Sequence, residues 1–98
     1  MIKIAYIFVC PEADSKKHRA TVEIPTLSLI AVGVKDFDDA ANVAKSLVED
    51  GIQLIEVCGA YGPVGTAKII EAVGGKVPVG AAYYGMESME KLLTLMEK

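Results

Sequence analysis

An α/β fold, built from repeated β-loop-α units as a mainly parallel sheet of about four strands flanked by helices, follows from three features of the chain. Apolar, β-branched runs of strand length alternate with amphipathic segments of helix length. Three of those runs begin at Leu29, Gln53 and Val77, 24 residues apart each time, which is the length of one strand–loop–helix unit. The apolar content comes from Val, Ile, Ala and Leu, with four Tyr, two Phe and no Trp, the filling of buried parallel strands. Strand–helix alternation of this kind requires right-handed crossovers and parallel neighbours. The 98 residues make one domain, spanning 1–98, with a single modest core.

The elements follow in order. Ile2 to Val9 is a continuous apolar run broken by one lysine, which suits a central strand buried on both faces. Cys10-Pro11 ends it. The polar stretch Pro11 to Ala20 offers Asp14-Ser15 as a cap for a short helical turn. Thr21 to Ile24 is a short strand stopped by Pro25-Thr26, and Ser28 to Val34 is a second long apolar strand. An antiparallel edge strand or hairpin is therefore expected near 21–34.

The surest helix follows. Asp36 stands at the N-cap with Asp39 three residues on, where acids suit the helix dipole. Phe37, Ala40, Ala41, Ala44, Leu47 and Val48 recur at helical spacing, and Gly51 marks the end. Ile52 to Cys58 is the next strand. Pro63 takes the favoured first-turn position of a helix whose apolar stripe is Ile69, Ile70 and Val73, and Gly74-Gly75 stop it. Val77 to Ala82 is a further strand. The last helix starts near Glu87, places Met89, Leu92, Leu93 and Met96 on one face, and ends with Lys98 where the dipole favours a cation.

Composition excludes several functions. A net charge of −3 and a lone basic cluster, Lys16-Lys17-His18-Arg19, give no nucleic-acid-binding field. No apolar run reaches membrane-spanning length. The opening run reads as a first strand and not as a signal peptide, so a cytoplasmic location is expected. Cys10 and Cys58 have no C-x-x-C spacing, and no histidine pairs exist, so neither a zinc site nor a thioredoxin-type motif is present. The sequence leaves the cofactor unknown. A mean hydropathy of +0.37 is high for a small monomer and predicts a homo-oligomer, a dimer or higher.

In a parallel sheet, ligands bind at the carboxyl ends of the strands, so candidate residues are sought there. Gly59, Gly62 and Gly65, followed by Thr66, form a glycine-spaced loop that leads into a helix. This is neither the dinucleotide fingerprint nor the P-loop, because the spacing differs and no lysine precedes Thr66. Its glycines either let amides approach an anion or serve a tight turn and close helix packing. Glu56 is a carboxylate inside an apolar strand. Burial without a partner would cost several kcal/mol, so it needs an ion pair or access to the open rim. It is a candidate general base or ligand-gripping group. Cys58 is either a small buried hydrophobe or a nucleophile activated by the helix start ahead of it. Arg19 and Lys35 are candidate charges for an anion. His18, the one histidine, sits in a solvated setting.

The stretches "IFVCPEADSKKHRATVEIPTLSLIAVGVKDFDDA" and "GTAKIIEAVGGKVPVGA" resemble a short prokaryotic protein family known only as a domain of unknown function. The likeness covers roughly residues 5–82. In that family the last strand leads into a tail containing histidine and glycine, whereas Tyr83 onward here reads as a plain amphipathic helix. The resemblance implies an α/β fold and gives no catalytic residue to carry over. The expected function is therefore the binding of a small anionic molecule, bearing phosphate or carboxylate, at the carboxyl edge. Gly62, Gly65, Thr66, Arg19 and Lys35 would hold it, and Glu56 and Cys58 would be available for chemistry. The alternative is a non-catalytic self-assembling or partner-binding module.

Overall fold

A computed structural model describes residues 1–97. The chain runs β1 (Ile2–Val9), β2 (Arg19–Ile24), β3 (Leu27–Val34), α1 (Phe37–Glu49), β4 (Leu54–Val57), α2 (Gly62–Ala72), β5 (Val79–Ala81) and α3 (Met89–Met96). Single 3-10 turns precede α2 (Gly59–Tyr61) and α3 (Met86–Ser88). The five strands lie in the order β2-β3-β1-β4-β5, parallel except for the β2–β3 hairpin. The α/β class, the parallel core and the antiparallel edge all match the sequence expectation. The even 24-residue spacing does not hold at the true strand starts of Leu27, Leu54 and Val79, because β3 begins before Leu29 while β4 and β5 begin after Gln53 and Val77.

The first strand occupies the centre of the sheet. In register, Ala5 lies beside Ile30 and Ile55, and Ile7 beside Val32 and Val57. These side chains share one face, since alternate residues of a strand point to opposite sides. Against that face pack α1, through Ala40, Val43, Ala44 and Leu47, and α2, through Ile69 with Val73 just past its end. Asp36 caps α1, its carboxylate accepting the Asp39 N–H at 2.8 Å, as the sequence suggests. Lys68 of α2 forms an ion pair with Asp38 of α1. That pairing, with the hydrogen bond from Lys68 first, holds the Asp38 carboxyl below its usual range.

The opposite face departs from expectation. Both crossovers, β3-α1-β4 and β4-α2-β5, advance across the sheet in the same direction, so right-handed connection puts both helices on one side. The molecule therefore has two layers, and β1 and β3 are not buried on both faces. Ile2, Ile4, Tyr6, Phe8, Leu27, Leu29 and Ala31 look away from the helices, all of them exposed or half-buried. On β2, Ala20, Val22 and Ile24 continue this face and are exposed. The carboxyl end is partly closed by Phe8. Its ring lies across Gly33 so closely that a Cβ there would fall 2.8 Å from it.

Two further readings need correction. Ile70, expected in the stripe of α2, points outward, while Ile69 and Val73 carry the packing. No residue of α3 is buried; Met89 and Leu92 only line a hollow beside α2. The expected cation at the end of α3, Lys98, lies outside the described residues.

Candidate functional site

Because β1, β3, β4 and β5 run in parallel, Cys10, Lys35, Cys58 and Ala82 all lie at one edge of the sheet, as a site at the carboxyl ends requires. The expected residues do not gather there as one group. They divide among three places.

The glycine loop faces a mainly apolar hollow of about 550 Å³ between α2, α3 and residues 81–84. Gly59, Gly62, Pro63 and Thr66 line it with Ile70, Tyr83, Tyr84 and Leu92, and among the described residues no lysine or arginine lines it. Thr66 is already engaged, its hydroxyl donating to the Gly62 carbonyl at 2.6 Å within the helix. Each glycine has a local reason to be there. Gly62 sits at φ 58° and ψ −173°, a backbone region open almost solely to glycine. A Cβ at Gly59 would fall 2.7 Å from the Tyr84 ring, and one at Gly65 would fall 3.1 Å from the Tyr61 Cβ. Turn geometry and close packing account for the motif.

The two expected cations are elsewhere. Arg19 opens β2, three strand spacings, about 14 Å, from β4. It faces the helix side of the sheet, lines a hollow with Glu23, Ser28 and Asp50, and its Nε donates to the Ser15 carbonyl at 2.8 Å. Lys35 lines a separate hollow with Asp14, Lys16 and Asp39, where its backbone N–H reaches the Asp39 carboxylate at 3.3 Å. Neither reaches the glycine loop.

Glu56 and Cys58 do meet other polar groups. Glu56 lies on the uncovered face of β4, directly beside Tyr6 of β1 in register, and Cys58, one residue past the strand's end, is half-buried against the edge of the core. The Tyr6 hydroxyl is held above its usual pKa by partial burial first, then by Cys58, Tyr84 and Glu56 close to it. Tyr84 is brought in by the chain leaving β5, its ring seated on Gly59. Tyr6, Glu56, Cys58 and Tyr84 thus form a polar corner on an otherwise apolar sheet. Glu56 is exposed and has no ion-pair partner among the described residues. The burial cost inferred from its apolar strand does not arise, because half of that strand faces outward. Sequence reasoning missed Tyr6 and Tyr84. The alternation of β1 placed Tyr6 on the same face as Phe8 and Ile4, and strand pairing alone could have set it beside Glu56.

One buried polar group lies close by. Tyr61, 3% exposed, packs its ring on Phe37 with centroids 4.9 Å apart, and its hydroxyl has no hydrogen-bond partner among the described residues. Burial pushes its pKa well up, and Cys58, Asp39 and Tyr6 add to the shift.

The arrangement defines a two-layer α/β domain with a polar corner at the carboxyl end of its bare sheet face. The chain matches, over residues 2–97, the model of a family of unknown function (DUF6506), and it belongs to that family. The match extends past residues 5–82 and takes in α3. No curated protein and no solved structure matches the chain.

Proposed function

We propose that the protein binds a small molecule at the carboxyl edge of its sheet, in the corner formed by Tyr6, Glu56, Cys58 and Tyr84. The observation that carries this reading is the convergence of a carboxylate and two phenols, with the Cys58 thiol at the strand's end beside them, at the corner of a face whose other strand residues are apolar. Side chains of this kind, set at the border of an apolar floor, orient a ligand while the floor holds it. The corner supplies acceptor and donor groups but no cation. It therefore favours a neutral or cationic ligand with a donor group, an amine or an alcohol, over the phosphate or carboxylate expected from the glycine loop. Arg19 and Lys35, which an anion would need, line other hollows. Glu56 is the group that would accept a hydrogen bond or a proton from the ligand, and Tyr6 and Tyr84 would flank it.

The test is a screen by protein NMR with fragments bearing primary amines or alcohols, set against inorganic phosphate and citrate. Amine or alcohol fragments should shift the resonances of Tyr6, Glu56 and Cys58, and Glu56→Gln should weaken their binding at least tenfold. Binding confined to phosphate at Gly62–Thr66, or fragment binding indifferent to Glu56→Gln, would overturn the assignment.

A further inference from the structure

We infer that the amino half of the uncovered sheet face, formed by Ile2, Ile4, Val22, Ile24, Leu27 and Leu29, seats a second copy of this chain, sheet against sheet about a two-fold axis. This inference is independent of the ligand reading of the polar corner, which lies at the opposite end of the face.

The first argument is area. A compact monomer of this chain's 10.4 kDa exposes about 5,400 Å². The chain exposes 6636 Å². The difference of about 1,200 Å² exceeds the roughly 800 Å² that each partner contributes to a standard stable interface. The radius of gyration agrees, at 13.8 Å against about 12.6 Å for a compact domain of this length. Part of the excess lies on α3, whose Leu93, Leu95 and Met96 point outward. The sheet face contributes Ile2, Val22 and Ile24, exposed by 55%, 60% and 53%.

The second argument is charge. On β1, β2 and β3 this face carries no charged side chain, whereas the helix side of the same strands carries Lys3, Arg19 and Glu23. A two-fold axis brings the same patch of each copy face to face, and here that places no like charges together. Glu56, the one carboxylate of the face, is on β4 beyond this patch. An apolar sheet face is well covered by another such face, whose side chains interdigitate with it about 10 Å away. An anionic membrane surface is disfavoured by the chain's net charge of −3 and the absence of any cation on the patch.

Sedimentation equilibrium across the micromolar range tests this, with circular dichroism to verify the fold of each variant. The wild-type chain should have twice the 10.4 kDa chain mass. Val22→Lys buries a lysine at the contact in each copy and should weaken association on the order of 100-fold or more. Thr21→Lys, on the same edge strand but the opposite face, should leave association unchanged. If Val22→Lys loses its fold, Ile24→Glu repeats the test on the same face. A wild-type monomer, any stoichiometry other than two, or an equal loss with Thr21→Lys (the signature of pairing along the β2 edge) overturns the inference.

Discussion

Tyr61 shows how the core of this protein is not fully satisfied. Its ring is well used, wedged beside Phe37 and against Gly65, but its hydroxyl is buried without a partner. Such a group costs about 1–3 kcal/mol relative to one that is hydrogen-bonded or absent. Tyr61→Phe keeps the ring and removes the orphan, so it should raise stability by about 1 kcal/mol in urea unfolding. A loss of that size instead would mean that the hydroxyl has a partner in solution. Sequence alone gave no sign of this residue's role, because a tyrosine between glycines reads as loop. Glu56 presents the converse case. Its oddness was plain in the sequence, but the apolar residues around it suggested burial, and they could not say that one face of β4 has no cover.

At the scale of elements, local signals were read best where they act locally. The Asp36 cap, the Pro25-Thr26 turn and β1 from Ile2 to Val9 are where the residues place them, since each depends on its near neighbours. The loop before α2 was harder to read. Three evenly spaced glycines look alike in sequence, yet one answers a backbone requirement and two answer side chains distant in the chain or on the next turn. Gly62→Ala separates these causes. With open space around its Cβ position, the substitution meets no clash but forces a side chain into a glycine-only conformation. It should cost about 1–3 kcal/mol, read as a lower urea midpoint with an unchanged slope. A neutral result would mean that the turn relaxes freely. The dispersal of Arg19, Lys35 and the glycine loop was invisible in sequence, because strand order decides it. β2 folds back to the far edge, and takes Arg19 with it.

For the molecule as a whole, stability is unevenly shared. β1 sits at the centre with partners on both sides and Ile7 fully buried, while α3 buries no residue. Amide exchange should reflect this. The amides of β1 should exchange only through global unfolding, whereas those of α3 should open locally and exchange on the order of 100-fold faster. Equal protection in the two would mean that α3 is held by contacts beyond this chain. The α/β class was legible because alternation and composition agreed. The one-sided layering was not, since an apolar strand face reads the same whether helices or another molecule covers it.

The central position of β1 also bears on how the chain matures on the ribosome. Its eight residues are made before either neighbour, and β3 is complete only at Val34 and β4 only at Val57. At ordinary translation speeds the interval from Val9 to Val57 lasts roughly 2–10 s. Throughout it, at least one edge of this apolar strand waits without its partner. Chaperone capture of the nascent chain should therefore be concentrated on this early strand and end once β4 has emerged.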